Sequence, residues 1–359
     1  MSVTTHERPG VYSSFDASTV VDGRSGRKNV AVVGRASKGT AGQVVWVTSL
    51  EEAEAVFGPN EGGSCLVELV RLALLNGAAQ AAAVAAAVGA EEPETADYQD
   101  AFAALELEDD VPLVVCASTE LEVQQALRQS VEQASGQRRE RVAVAACGGD
   151  TVAELTERAE ALNSERMVLV SPGVLRDDGE TAGDGAPAAA AVAGVLAAES
   201  DPALPLGGAE VKGLRGLNLR YTDDQLDALI RGGVTSLEQV GGRVSVVRGV
   251  TTRTKSGGAA DATWRELTTI RIADDVIVTV RDALRARFQR AKNTAQTRGA
   301  VRSQVVLELE QKLAREIITS YEDVRVTVDE AAPTVCLVEF SFTVAHGLNQ
   351  IHLTAHITV

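Results

Sequence analysis

The stretch Thr334–Val359, TVCLVEFSFTVAHGLNQIHLTAHITV, alternates apolar and polar residues in two runs. The first run places Phe340, Phe342 and Val344 on one side, and the second places an apolar residue at every odd position from 351 to 359. Strict period two predicts two β-strands, each with one apolar and one polar face. A strand that keeps a core pattern must pair with something. Pairing inside the chain and pairing with another copy both remain open at this point.

Composition and charge argue against several classes of protein. The chain has 359 residues, 3% aromatic residues and a formal net charge of −16, a size that fits one large or two moderate domains. Such an acidic chain is not expected to bind nucleic acid, because that binding needs clustered Lys and Arg to neutralise phosphates. The first residues are too polar for a signal peptide, and the longest low-charge run, 77–90, is too short to cross a bilayer. We therefore expect a soluble protein made in the cytoplasm, with no membrane insertion.

The first half of the sequence alternates short apolar runs with amphipathic segments. The predicted strands are 30–33, 44–47, 113–116, 141–146 and 167–170; the predicted helices are 51–57, 65–75, 97–105, 121–135, 152–162 and 186–198. Residues 80–88 are ambiguous between an Ala-rich helix and a buried strand. This alternation indicates an α/β layer with a largely parallel sheet.

The second half has a different pattern. After a Pro- and Gly-rich connector at 201–216, we predict a helix at 223–231 capped by Asp223, and a hairpin of strands 244–252 and 264–272. Helices at 274–291 and 301–320 and a strand at 324–328 follow, with Asp274 and Asp275 placed to favour the dipole of the first helix. The predicted fold class is α/β, or α+β overall: a central sheet flanked by helices, plus a smaller C-terminal α+β domain with extended N- and C-terminal arms.

One turn resembles a nucleotide site. Residues Gly34–Thr40, GRASKGT, follow a strand and carry glycines at phosphate-loop spacing. A phosphate loop needs Lys and then Ser or Thr directly after the second Gly, whereas Thr40 and Ala41 follow it here. The favoured interpretation is a surface turn, and the alternative is an α/β enzyme that binds a phosphorylated small molecule at this turn.

Other candidates for chemistry are weak. His352 and His356 share a strand face about 13 Å apart, too far for one zinc ion, so we interpret them as exposed histidines. The cysteines at 65, 116, 147 and 336 form no CxxC pair and are interpreted as buried free thiols. Acidic pairs fall in loops or at helix starts, where capping and solvation explain them. No catalytic residue, metal site or cofactor is predicted.

A basic stretch interrupts the acidic chain. Residues 281–302 contain one acidic residue, Asp282, and seven basic residues: Arg281, Arg285, Arg287, Arg290, Lys292, Arg298 and Arg302. This stretch is either a solvated helix face or a patch that meets an acidic partner surface.

Several of these stretches together resemble contractile tail sheath proteins, which occur in myophages, phage-like bacteriocins and related injection systems. The resemblance rests on Arg8–Tyr12 (RPGVY), Gly249–Thr254 (GVTTRT), Trp264–Leu267 (WREL), the following helices and strand, and Glu339–Val344 (EFSFTV). It covers the first dozen residues and about 245–359, while the middle agrees only in its α/β character. The chain is short for this family, so we expect it to lack additional outer domains.

The resemblance implies a mechanism and a set of partners. Sheath subunits form a helical homo-oligomer of stacked six-membered rings around an inner tail tube protein, and the sheath also meets baseplate and tail terminator proteins. The N-terminal arm and the C-terminal strand complete the sheets of neighbouring subunits. Contraction then drives the tube through a target envelope. A structural protein is implied, not an enzyme, which assembles in the bacterial cytoplasm and becomes part of a phage tail or phage-like particle.

The same resemblance assigns regions and residues. The expected regions are an N-terminal arm donated to a neighbour (1–27), an α/β outer domain (28–263), a C-terminal tube-facing domain (264–345) and a donated strand (346–359). Val11 and Tyr12 are assigned to the incoming arm, and Ile351, Leu353, Ile357 and Val359 to the donated strand. The local charge is the ground for assigning Arg285, Arg287, Arg290 and Lys292 to contact with the tube. Gly347 and the glycines at 23 and 26 are expected to act as hinges.

Overall fold

The computed structural model describes residues 28–60, 65–90, 92–147, 151–175, 181–351 and 353–355. In this part of the chain, nine strands form one large sheet in the order β2-β3-β1-β4-β5-β6-β8-β9-β7. The strands are β1 (Asn29–Ala36), β2 (Val44–Val47), β3 (Gln80–Val88), β4 (Leu113–Cys116), β5 (Val142–Ala146), β6 (Met167–Ser171), β7 (Glu210–Val211), β8 (Val234–Val240) and β9 (Arg243–Val246). The centre of the sheet, from β3 to β8, is parallel, and antiparallel strands complete both sides.

Helices cover both faces of this sheet. They are α1 (Leu50–Phe57), α2 (Leu66–Leu75), α3 (Thr95–Ala104), α4 (Leu121–Gly136), α5 (Val152–Leu162), α6 (Ala186–Ala198) and α7 (Asp223–Arg231). One core cluster joins α1, α2 and α6 to one face, and a second joins α3, α4, α5 and α7 to the other. Because both faces are buried, the central strands are continuous apolar runs and do not alternate. For the same reason the Ala-rich stretch 80–88 is a strand, β3, between β1 and β2.

A second group of elements follows the sheet. It contains a small hairpin, β10 (Lys255–Ser256) and β11 (Ala259–Ala260), two long helices, α8 (Leu267–Phe288) and α9 (Ala295–Ala314), and an antiparallel pair, β12 (Ile318–Val328) and β13 (Cys336–Val344). Apolar side chains of α8 and α9 join the same core cluster as α2 and α6. The structure therefore confirms the predicted fold class, a helix-flanked central sheet with a smaller C-terminal α+β part.

Two predictions of secondary structure were wrong, and one strand was not predicted. The hairpin of strands 244–252 and 264–272 does not form: β9 pairs instead with β8, which the sequence analysis missed, and residues 267–272 begin α8. A short apolar run fits a buried strand or a buried helix equally well, so its period could not decide between them. Helix α9 ends at Ala314 and β12 begins at Ile318, so the predicted helix 301–320 extends too far.

The helix ends also differ from the prediction. Thr222, not Asp223, caps α7, through a capping box in which its side chain accepts a hydrogen bond from the backbone of Gln225. Because α8 begins at Leu267, Asp274 and Asp275 lie inside the helix and cannot act on its N-terminal dipole. Their actual partners are buried cations, as described below.

Candidate assembly surfaces

The β12–β13 pair is a small sheet with free edges. One side packs partly against the core through Tyr321, Val326, Val338, Phe340 and Phe342. Within the described ranges, no further strand pairs with either β12 or β13. A two-stranded sheet is marginally stable alone, and its unpaired backbone N–H and C=O groups can accept another strand on either edge.

The segment after β13 ends in an exposed apolar tail. Residues 345–351 and 353–355 form no strand, and Leu348, Ile351 and Leu353 are 75%, 80% and 91% exposed. Two apolar side chains predicted for the donated strand are therefore in water and unpaired in the isolated chain. The other predicted strand residues, Ile357 and Val359, and the arm residues Val11 and Tyr12 lie outside the described residues.

The basic stretch divides into charges with internal partners and charges without them. Arg281 is buried and pairs with Glu140 at 2.7 Å. Arg287 donates a hydrogen bond to Gln304 and lies over the Phe288 ring. Likewise, Arg298 donates to the Asn293 side chain at 3.0 Å and Arg302 to the Val324 carbonyl at 2.9 Å.

The remaining cations are Arg285, Arg290 and Lys292. All three are exposed at the C-terminal end of α8, and none makes an ion pair with a described residue. The four predicted tube-contact residues thus lie close together in sequence at one helix end, but Arg287 is partly engaged inside the chain. Contact with a tube stays a prediction.

Buried ion pairs fix α8 to the rest of the molecule. Arg166, before β6, binds Asp274 with two hydrogen bonds of 2.9 Å. Lys312 of α9 pairs with Asp275, and both side chains are almost fully buried. Burial raises the pKa of Asp274 to about 6, against the opposing attraction of Arg166. The sequence analysis missed this network, although a lysine at an apolar-face position of α9 was a usable signal, since a buried ammonium needs a partner.

The GVTTRT motif is a structural joint. Thr252 is fully buried, and its hydroxyl accepts from the Ser164 backbone N–H and donates to the Ser164 carbonyl, both at 3.0 Å. Thr251 is also fully buried and donates to the Trp264 carbonyl at 2.7 Å. The motif therefore connects the loop before β6 with the chain that leads into α8.

The Gly34–Thr40 stretch lacks phosphate-loop geometry. Gly34, Arg35 and Ala36 belong to β1, and the chain then bends into β2 and not into the N-terminus of a helix that could bind phosphate. Arg35 pairs with Glu92 at 2.6 Å, and Ser37 Oγ lies 2.8 Å from the Pro59 carbonyl. The geometry thus does not support the enzyme alternative.

Other site types are also unsupported in the part of the chain that the structure describes. No cluster of three or more metal-ligating side chains occurs there. None of the helices traced in those ranges combines the length and apolar character that crossing a membrane requires. Cys116 and Cys147 are buried as predicted, but Cys336 is exposed at the start of β13, so its predicted burial was wrong.

Two models of known protein domains match this chain. Residues 91–252 match the model of the phage tail sheath protein central domain, and residues 259–358 match the phage tail sheath C-terminal domain. This chain belongs to the phage tail sheath family. The second match includes β12, β13 and the exposed tail, and the resemblance noted from the sequence is confirmed.

Individual sheath proteins show the same relationship. The tail sheath protein of Bacillus phage SP01 is 29% identical over 250 residues, which cover 68% of this chain and 42% of that protein, so this chain spans less than half the length of that relative. The solved sheath tail protein of Desulfitobacterium hafniense superposes with a TM-score of 0.69 at 14% identity, over 93% of this chain and 100% of that one. The contracted helical sheath of the anti-feeding prophage gives 0.69 at 14% identity, over 98% and 99% of the two chains. At sequence identities this low, the structural superpositions establish a shared fold and no more.

Proposed function

We propose that this chain is the structural subunit of a contractile sheath that polymerises around an inner tube and shortens to drive the tube through a target envelope. The carrying observation is an exposed apolar tail that leaves a small sheet with free edges, in a chain of the sheath family. The contracted sheaths of the anti-feeding prophage and of the PVC extracellular contractile injection system, the latter matched at a TM-score of 0.68, support a helical assembly of stacked rings.

Strand exchange explains both the tail and the free edges. The tail of one subunit adds to the β12–β13 sheet of the next, and the N-terminal arm with Val11 and Tyr12 adds to another free edge. Each backbone hydrogen bond contributes about 0.5–1.5 kcal/mol net. Burial of Ile351 and Leu353 adds about 1.5–3 kcal/mol for each side chain. Head-to-tail donation does not close on itself, so it generates a filament or tube.

The free cations at the end of α8 support an acidic partner inside the sheath. Arg285, Arg290 and Lys292 would face the inner tube protein, and the ends of the polymer would meet baseplate and terminator proteins. The subunit has a mechanical role with no catalytic step. It assembles in the bacterial cytoplasm and works as part of a phage tail or phage-like particle.

Removal of residues 351–359 tests the proposal. The shortened chain keeps the sheet, α8, α9 and the β12–β13 pair, so we expect its thermal unfolding to match that of the full chain. Negative-stain microscopy should show hollow striated cylinders for the full chain and only discrete particles for the shortened one. Full-length cylinders from the shortened chain would refute strand donation by the tail.

A further inference from the structure

The first residues of the tail are held against the body before the tail becomes free. Ala345 donates its backbone N–H to the Ile317 carbonyl at 3.2 Å. Gly347 lies against Pro205, so closely that an added Cβ would be 2.5 Å from Pro205 Cγ and 2.9 Å from Pro205 Cβ. Asn349 lines a cavity of about 10 Å³ at the start of α8. These contacts define a docked linker, residues 345–349.

The docked linker has an inner and an outer side. Ala345 and Gly347 are half-buried, whereas His346 and Leu348 are exposed. From residue 350 onward every described residue is exposed. The free part of the tail therefore begins directly after the docked linker.

The surface under the linker is rigid. Pro205 belongs to the connector between α6 and β7, and its neighbour Leu206 is buried. Gly208, in the same connector, donates its backbone N–H to the Val246 carbonyl of β9 at 2.7 Å. At the start of the connector, directly after α6, the Glu199 carbonyl accepts a hydrogen bond of 3.0 Å from Arg271 of α8. The linker is thus held by a connector that is tied to the large sheet and to α8.

Sterics alone require glycine at 347. Its backbone is not in the left-handed region, so a side chain would be tolerated conformationally. Carbon atoms pack at about 3.5–4.0 Å, so a methyl group at 347 must displace either Pro205 or the linker. The glycine is therefore a point of close contact in this structure, where the sequence had suggested a hinge.

We propose that the connector aims the donated strand: Pro205 and Gly347 are positioning residues that fix the direction in which the tail leaves the subunit. This inference rests on the proposed sheath function. A free linker would let the tail sample many directions, and each donation would then have to restrict them. A docked linker restricts them in advance, which favours insertion into the neighbouring sheet.

The test uses full-length Gly347→Ala. We expect faster amide hydrogen exchange at Ala345, whose N–H is bonded to the Ile317 carbonyl, a number of cylinders about tenfold lower, and unchanged thermal unfolding of the subunit. Gly136→Ala is the matched control, because a Cβ at Gly136 meets nothing within 4 Å. The double variant Gly347→Ala/Pro205→Gly moves the contact to the other side, because the new methyl group takes the space of the Pro205 ring, and should restore exchange protection and cylinders relative to Gly347→Ala alone.

The outcomes separate the two proposals. If the wild type and Gly136→Ala form cylinders and Gly347→Ala forms them equally well, the aiming role is refuted and the sheath function stands. Failure of Pro205→Gly to restore either readout also refutes the role of this contact. If the wild type forms no cylinders with or without tubes, the sheath proposal fails, and the aiming role fails with it.

Discussion

Lys312 and Asp275 form a buried ion pair between α9 and α8. Both side chains are almost fully buried, and Asp275 Oδ1 has no hydrogen-bond partner in the described part of the chain. The pair therefore holds α9 against α8 with one carboxylate oxygen left unsatisfied. Removing the lysine alone would leave a buried carboxylate without a counter-charge.

We expect Lys312→Met to lower the free energy of unfolding by about 3–5 kcal/mol, the cost of an uncompensated buried charge. Equilibrium denaturation in urea measures it. The double variant Lys312→Met/Asp275→Leu removes both charges and should recover most of the loss, because well-packed apolar pairs replace buried ion pairs at little cost. Equal losses in the single and double variants would show that an uncompensated Asp275 carboxylate is not the source of the loss.

At the scale of elements, the sequence predicted several of the short apolar strands. Strands β2 and β4 appear with the predicted bounds, where flanking turn residues and a length of four residues favour strand over helix. Strand β8 escaped prediction because Thr235 and Ser236 occupy fully buried positions in it. The hydroxyl of Thr235 is satisfied there by the backbone of Val250, a partner that no local pattern reveals.

At the candidate surfaces too, local features could be predicted from the sequence and contacts between distant residues could not. The apolar alternation of the tail was visible in the sequence, because period is a local property, whereas the exposure of Ile351 and Leu353 came from the structure. The pairing of Asp274 with Arg166 was not visible in the sequence, since the two residues are 108 positions apart and only the fold brings them together. Charge counting likewise found the basic stretch but could not separate Arg281, which is buried against Glu140, from the free Arg285.

Thr252 connects the loop before β6 with the chain that leads into α8, and this connection can be tested by substitution. Thr252→Val keeps the shape of the side chain but leaves the buried N–H of Ser164 without its partner, and the Ser164 carbonyl keeps only the Met167 N–H at 3.3 Å. We expect a loss of about 1–3 kcal/mol in the free energy of unfolding. Thr319→Val, at an exposed position of β12, is the control and should change stability by less than about 0.5 kcal/mol. If Thr252→Val lowers the free energy of unfolding no more than Thr319→Val does, the hydrogen bonds of Thr252 do not stabilise this connection.

At the scale of the whole molecule, charge is distributed unevenly. The chain carries −16 overall, yet the end of α8 presents Arg285, Arg290 and Lys292 without internal ion pairs among the described residues. Like-charged subunits repel one another when they crowd into a polymer, and a basic surface facing an acidic tube offsets part of that repulsion. This charge placement is what the proposed contact with an acidic tube requires.

Reversing these charges tests that argument. We expect the triple variant Arg285→Glu/Arg290→Glu/Lys292→Glu to fold normally and to fail to coat isolated tubes at physiological salt, because attraction becomes repulsion at the contact. Coating by the wild type should also weaken as salt rises, since exposed charges are screened. The matched control, Lys38→Glu/Lys212→Glu/Arg243→Glu, changes the net charge equally at exposed positions outside α8 and should still coat tubes. Cosedimentation with tubes measures both variants. If the triple variant at α8 coats tubes as well as the control does, these residues do not form the tube contact, and another face of the subunit must supply it.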